Sequence, residues 1–281
     1  MRAIDAMTNS NPPNEIQNLF KAKKGEGGPV VISDLNQWLL LRNKIKDLRQ
    51  SLGFVPTMGA LHRGHASLLD RCRKENDFSI LSIYVNPTQF NNPEDLRIYP
   101  KTLEADIEIA KASGVDCVLL PSYPQIYPDG YRYRVTENQF SHELCGQHRP
   151  GHFDGVLTVV MKLLNLVQAD RAYFGEKDFQ QLELIREMVR AFFMTVQIVP
   201  CPTLREQDGL AMSSRNVNLT SEERAIAPRL SDILRQKISL EQARSELSAL
   251  GFNVDYIEDH FDRRFAAAHL GKVRLIDNVK R

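Results

Sequence analysis

Along most of the chain, short apolar runs alternate with stretches whose apolar residues recur every three or four positions. The runs Val30 to Ile32, Gly53 to Val55, Phe78 to Val85, Asp116 to Leu120, Arg171 to Phe174 and Val196 to Val199 have the length and content of strands. Between them, helix patterns cover Gly64 to Lys74, Leu103 to Ser113, Val156 to Val167 and Asp178 to Phe192. An earlier helix is capped by Ser33 or Asp34 and carries Trp38, Leu39, Leu41, Ile45 and Leu48 on its apolar side. This alternation is the rhythm of βαβ units and predicts a parallel sheet. Val156, Leu157, Val159, Val160, Leu163, Leu164 and Val167 are apolar nearly all round their helix, which predicts burial against the sheet or against a second subunit.

The texture changes at both ends. Residues 1 to 28, closing on Lys21-Ala-Lys-Lys-Gly-Glu-Gly-Gly28, hold little to bury and predict a flexible extension. After Ser221-Glu-Glu-Arg, a helix start, the chain gives helical stretches through Lys237 and from Leu240 to Leu250, with short strands at Asn253 to Ile257 and Lys272 to Ile276. The expected division is therefore an extension (1–28), an α/β domain with a parallel sheet (29–207) and a small α+β C-terminal domain (208–281).

Charge and cysteine content narrow the function classes. Lys plus Arg number 36 against 35 Asp plus Glu, a net charge of +1, so no global field argues for nucleic acid or an anionic membrane. Cys72, Cys117, Cys145 and Cys201 lie far apart, with no spacing that suits a disulfide or zinc framework, which points to reduced thiols and a cytoplasmic location. The longest apolar runs, such as Trp38 to Leu41, are too short to span a bilayer.

The most informative stretch is Gly53-Phe-Val-Pro-Thr-Met-Gly-Ala-Leu-His62-Arg-Gly64-His65. A strand, a turn at Gly59 and a helix opening at Gly64 would present free amides and the positive end of a helix dipole at one spot, which attracts phosphate. His62 and His65, three apart, share a helix face. Gly59 and Gly64 have P-loop spacing, but His65 stands where the lysine belongs and Ala66 replaces the Ser/Thr, so a P-loop is excluded. Zinc would need a further ligand from His142, His148 or His152; a plain glycine turn with two surface histidines is the bland alternative. Three more segments favour an anionic ligand. Gly175-Glu176-Lys177-Asp178-Phe-Gln-Gln181 leaves a strand and opens a helix, Met212-Ser213-Ser214-Arg215-Asn216 offers hydroxyls and a guanidinium to a polyphosphate, and Tyr84-Val-Asn86-Pro-Thr-Gln89-Phe90 offers amides to a small polar substrate. Each alone reads as an ordinary loop, and the weight lies in their joint placement at strand ends.

These segments together resemble the pantothenate synthetase family, one of the α/β nucleotidyl-transferring proteins with such a histidine loop. The resemblance is carried by Pro56–His65, Val85–Phe90, Tyr99-Pro-Lys-Thr102, Arg149-Pro-Gly-His-Phe153, Gly175–Gln181, Asp208–Asn216 and Arg274-Leu-Ile-Asp-Asn278, in order from about Val30 to Asn278. It implies a Rossmann-like domain with a smaller C-terminal lid and an ATP-dependent condensation of pantoate with β-alanine through a pantoyl-adenylate, giving pantothenate, AMP and pyrophosphate. Carried over by position, the ATP site comprises Met58, Gly59, Ala60, Leu61, His62, Arg63, Gly64, His65, Gly175, Glu176, Lys177, Asp178, Leu204, Met212, Ser213, Ser214 and Arg215. His65 is the implied proton donor, with His62, Lys177, Ser213, Ser214 and Arg215 meeting phosphate charge. Gln89 and Gln181 would hold pantoate, Gln89 also adjoining β-alanine, with Pro56, Met58 and Asn86 lining the substrate site. ATP with Mg²⁺, no tightly bound organic cofactor, no nucleic-acid or membrane partner and a homodimer are implied; Asp106 is the position that could approach the metal, and no side chain is assigned as its ligand. The chain departs from the family pattern in its leading segment, in a shorter Leu219 to Arg274 stretch and in Leu204 where valine is frequent. The competing readings are a nucleotidyltransferase that leaves its substrate joined to the nucleotide, an ATP sensor without turnover and, on the likeness of its loops to tRNA-charging enzymes, a tRNA binder.

Overall fold

The computed structural model describes residues 27–281, so the expected extension lies, but for Gly27 and Gly28, outside the described residues. Six parallel strands form one sheet: β1 (Val30–Ile32), β2 (Leu52–Thr57), β3 (Phe78–Ile83), β4 (Cys117–Leu119), β5 (Arg171–Gly175) and β6 (Gln197–Cys201), in the order β1-β4-β3-β2-β5-β6. Five helices of ten or more residues connect them: α1 (Leu35–Asp47), α2 (Arg63–Glu75), α3 (Leu103–Ala112), α4 (His152–Val167) and α5 (Phe179–Ala191). The strands are apolar at consecutive positions because both sheet faces are covered. Phe54, Ile80 and Phe174 face a core shared with α1, α4 and α5, whereas their neighbours Val55, Leu81 and Tyr173 face α2 and α3.

Strand and helix positions agree with the pattern to within a few residues. Helix α4 starts earlier than expected, at His152, after a left-handed turn at Gly151. Its all-round apolarity is used up within one chain: Leu157 is 1% and Val167 0% exposed, in the core under the sheet.

The C-terminal part, α6 (Ser221–Ile226), α7 (Arg229–Leu234), α8 (Leu240–Ala249) and an antiparallel sheet of β7 (Asn253–His260), β8 (Arg263–Leu270) and β9 (Val273–Lys280), holds one strand that the pattern did not show. β8 contains Ala266-Ala-Ala268, which has neither the branched residues nor the alternation of a strand. It is the central strand, and both its faces are buried: Phe265 and Ala267 join the large core, while Ala266 and Ala268 pack under the C-terminal helices. The C-terminal sheet therefore shares its inner face with the core of the α/β part. Arg205 adds a bidentate ion pair to the buried Asp277 of β9, at 2.7 and 2.9 Å.

α4 approaches the turn after β3 so closely that a Cβ on Gly155 would lie 2.4 Å from the Thr88 carbonyl oxygen. Gly155→Ala is expected to lose about 1–3 kcal/mol of stability by overpacking, read from the urea midpoint; an unchanged midpoint would show that the turn yields freely.

Candidate active site

In the sheet order, the chain winds one way from β2 through β3 to β4 and the other way from β5 to β6. The carboxyl ends of β2 and β5 therefore flank a topological switch point, where crossovers diverge and leave a crevice. A cleft of about 260 Å³ opens there.

The loop after β2 is built around a buried carboxylate. Gly59 (φ 80°) and Ala60 (φ 51°) adopt left-handed backbone, turning the Ala60 and Leu61 amides onto Asp106 at 3.0 and 2.7 Å. Asp106, 1% exposed, also accepts from the Thr102 hydroxyl at 3.1 Å. This corrects the expectation that the turn offers free amides to phosphate. Gly59, Ala60, Leu61 and the exposed Arg63 do not line the cleft, and Asp106 is committed to the loop instead of facing a metal.

What the loop does present is the histidine pair. Nδ1 of His62 accepts from the Gly64 amide at 3.1 Å, and Nδ1 of His65 from the His62 amide at 3.3 Å, a reciprocal cap on α2. Their rings lie 4.1 Å apart and both line the cleft. Burial, reinforced by the Lys177 ammonium, lowers the pKa of His62 to about 4; burial, then His62 and Lys177, lowers that of His65 to about 3. Both are neutral at pH 7, and with Nδ1 accepting, the remaining proton sits on Nε2. They are neutral donors, not the cations that charge neutralisation would require.

Charge comes from the other segments. Lys177 lines the cleft with Asp178, its nearest carboxylate at 3.8 Å. Its turn is gripped by β9: the Asn278 amide donates to the carbonyls of Glu176 and Lys177, each at 2.9 Å. Glu176 pairs with Arg263 at 2.7 Å, bracing the turn, and is not among the residues that line the cleft. Met212, Ser213, Ser214 and Arg215 border the cleft on the opposite side. The Ser213 hydroxyl caps its own turn through the Arg215 amide (3.2 Å), Ser214 meets the Tyr99 hydroxyl at 3.4 Å, and Arg215 pairs with Asp95 at 3.0 Å while lying over the Tyr99 ring. Leu204 and Gly175 also line the cleft.

Pro56, Met58, Gln89 and Gln181 line the same cleft. Gln89 is oriented by Met58 sulfur and by Asn86. Asn86 borders the cleft with both ends of its amide hydrogen-bonded, to Gln89, Gly155, Thr88 and Tyr127, and so orients Gln89. No described residue hydrogen-bonds the Gln181 side chain, whereas the neighbouring Gln180 is buried in structural bonds to Cys145, Phe140 and Glu143. The sequence did not single out the apolar wall of Val156, Val159, Val160 and Leu163, nor Tyr84, Tyr99, Arg149 and His152, all of which line the cleft. The Arg-Pro-Gly-His segment was visible, but nothing in it marked which side chains turn inward. His142 and His148 are exposed, and among the described residues no group of three His, Cys, Asp or Glu could hold a metal ion. The four cysteines are free and buried, and no helix among the described residues is long and apolar enough to cross a membrane.

A switch-point crevice lined by neutral imidazoles, an ammonium, hydroxyls and guanidinium groups places the chain among α/β enzymes that act on polyphosphate nucleotides. Residues 31–280 match the family described as pantoate-beta-alanine ligase. The pantothenate synthetase of Bdellovibrio bacteriovorus is 58% identical over 230 residues, 82% of this chain and 92% of that one. That of Legionella pneumophila strain Lens is 54% identical over 249 residues, 88% of this chain and 98% of that one. The pantoate-beta-alanine ligase of Francisella tularensis, solved in complex with beta-gamma ATP and beta-alanine, is 45% identical with a TM-score of 0.86, covering 90% of this chain and 97% of that one. The chain belongs to the pantoate-beta-alanine ligase family.

Two outcomes follow from this geometry. Asp106→Ala leaves two buried amides without an acceptor, at about 1–3 kcal/mol each, and is expected to lower turnover more than Asp106→Asn, which keeps one acceptor oxygen; equal turnover in the two variants would remove the loop-clamping role. His62 and His65 titrate near 6.5 when unfolded but near 4 and 3 when folded, so their contribution is full above 6.5 and is lost as pH falls from there toward 4. The urea midpoint is expected to fall between pH 8 and pH 5, and His65→Gln to flatten that fall.

Proposed function

We propose that this chain condenses pantoate with β-alanine at the expense of ATP, through a pantoyl-adenylate, releasing pyrophosphate and AMP. The observation that carries this reading is the convergence, at one switch point, of the phosphate-directed groups with an uncommitted glutamine amide and an apolar wall. Pantoate is a hydroxy acid with two methyl groups on one carbon: Gln181 and Gln89 suit its oxygens, and Val156, Val159 and Val160 its methyls. An oxygen of the pantoate carboxylate attacks the α-phosphorus, forming an O–P bond as the P–O bond to pyrophosphate breaks. Such transfers need positioning and charge stabilisation and no covalent nucleophile. Lys177 and Arg215 meet the growing charge on pyrophosphate, with Nε2–H of His62 and His65 and the hydroxyls of Ser213 and Ser214 as donors; Arg215 exchanges Asp95 for phosphate. Anionic phosphate raises the pKa of both histidines, which lets His65 act as an acid once ATP is bound. The β-alanine amine then attacks the activated carbonyl, forming the amide and expelling AMP, with the excess proton leaving from the nitrogen.

Mg²⁺ accompanies ATP on this reading. Asp178 is the one carboxylate among the residues lining the cleft, which fits an ion held mainly by phosphate oxygens and water and offsetting their charge. Residues 29–207 would hold ATP and pantoate, and residues 208–281 would cover them, with closure in the Met212–Asn216 segment excluding water from the adenylate. The free, buried cysteines support a reducing cytoplasm, and a homodimer is expected on family grounds.

Pantoate-dependent exchange of labelled pyrophosphate into ATP, followed by AMP release that requires β-alanine, tests the two half-reactions; AMP release without β-alanine, or a nucleotide left joined to pantoate, would sink the reading. His65→Ala is expected to lower turnover about 100-fold or more. Gln181→Ala is expected to raise KM for pantoate at least about tenfold with less than about threefold change for ATP, and equal changes would show a folding defect.

A further inference from the structure

Arg149 stands apart from the other cations of the cleft. Lys177 has Asp178 and Arg215 has Asp95, but the two hydrogen bonds that Arg149 makes among the described residues go to uncharged groups: the Gln89 carbonyl at 3.2 Å and the ring of His152 at 3.1 Å. His152 cannot supply a negative charge, and it is not itself a cation. Its Nδ1–H donates to the same Gln89 carbonyl at 2.8 Å, leaving Nε2 to accept from Arg149, and burial with the adjacent guanidinium lowers its pKa to about 3. Burial is the largest influence on the Arg149 guanidinium and lowers its pKa; Arg215 and Arg274 act in the same direction, while Cys145 and the Asp95 carboxylate that pairs with Arg215 oppose it. A guanidinium withdrawn from water without a carboxylate is unfavourable unless an anion reaches it. Two of its five donors are taken, and the side chain borders the cleft beside Gln89.

The proposed reaction brings three anionic groups into the cleft. The triphosphate belongs with His62, His65, Lys177 and the Ser213–Arg215 segment, and the pantoate carboxylate loses its charge on joining the phosphate. The carboxylate of β-alanine remains charged from binding through to product, so it requires a permanent cation. Resting on the ligation reading above, we propose that Arg149 anchors the β-alanine carboxylate and so selects an amine with a terminal carboxylate over a plain amine. His152 is a positioning residue: it fixes the guanidinium to the backbone of Gln89, whose side chain faces the pantoyl group. The same cation disfavours a second positive charge nearby and so favours the unprotonated, nucleophilic amine.

The test is Arg149→Gln, assayed with β-alanine and with 3-aminopropanol, which has the same amine and length but a hydroxyl in place of the carboxylate, alongside pyrophosphate exchange, which needs no amine. KM for β-alanine is expected to rise at least about 30-fold, and the preference for β-alanine over aminopropanol to collapse by a similar factor, while KM for pantoate and ATP in the exchange assay moves less than about threefold. Arg149→Lys should restore part of the preference. A β-alanine KM within threefold of wild type, or a preference left intact, would overturn the assignment. So would a parallel rise in the pantoate and β-alanine KM, which would reduce Arg149 to a brace for Gln89. Wild-type protein lacking pantoate-dependent exchange would instead overturn the ligation reading on which the assignment rests.

Discussion

The site depends on two parallel strands, β2 and β5, lying side by side while their crossovers leave in opposite directions. That divergence is a consequence of winding, and it opens a crevice at the strand ends before any particular side chain is chosen. The chain then has to fill the rim with groups that hold their orientation. After β2 it uses Asp106, whose two oxygens pin the Ala60 and Leu61 amides and fix the start of α2. After β5 it uses Asn278, which reaches across from the C-terminal sheet to the carbonyls of the Lys177 turn. Both braces come from distant parts of the sequence, so the rim is a tertiary construction on a topological vacancy.

The electrostatics of the rim follow from how little negative charge it contains. Asp178 is the one carboxylate among the lining residues, against Lys177, Arg149 and Arg215, with Asp95 reaching Arg215 from behind. Histidines in such surroundings stay neutral, because burial and neighbouring cations both oppose the proton. On the proposed function, an arriving polyphosphate would supply negative charge to this rim and make the imidazoles more basic when an acid becomes useful. Permanently charged histidines would bind phosphate in the ground state with equal strength and so leave less to be gained at the transition state.

The strands and helices of the sheet domain were legible because burial on both faces and helical periodicity leave strong marks in sequence, and the ligand-directed segments were legible because they follow those strands. Less local features were not. β8 was invisible because a central strand squeezed between two cores needs alanines, which carry no strand signal. That Asn86 orients Gln89 was not visible either, because an amide in a loop gives no hint that Tyr127 and Gly155 will take it up. The free amides expected at Gly59 were already claimed by Asp106, 46 residues from Ala60 in sequence. Arg149 and His152 lay in a recognised segment, yet what sets Arg149 apart, that no carboxylate among the described residues pairs with it, is a property of the packed molecule alone.

How the cleft closes is constrained by where the C-terminal sheet is fastened. Its inner face shares a core with α1, α4 and α5 through Tyr256, Phe265 and Ala267, and its last strand holds the Lys177 turn through Asn278 while Arg263 holds Glu176. Swinging this sheet as a rigid lid would expose apolar core and leave the carbonyls of Glu176 and Lys177 without their donor, displacing the lysine it is meant to enclose. The Met212–Asn216 segment is held at its two ends: buried Met212 donates its amide to the Leu204 carbonyl at 3.1 Å, and the Asn216 side chain donates to the Ala211 carbonyl at 3.1 Å. Between them, Arg215 makes a half-buried pair with Asp95 and Ser214 a long hydroxyl contact with Tyr99. A closure of the kind the proposed function calls for would therefore have to leave the C-terminal sheet in place to keep Lys177 where it is, and rearrange instead the contacts of Ser214 with Tyr99 and of Arg215 with Asp95 on the one-turn helix Pro93–Arg97.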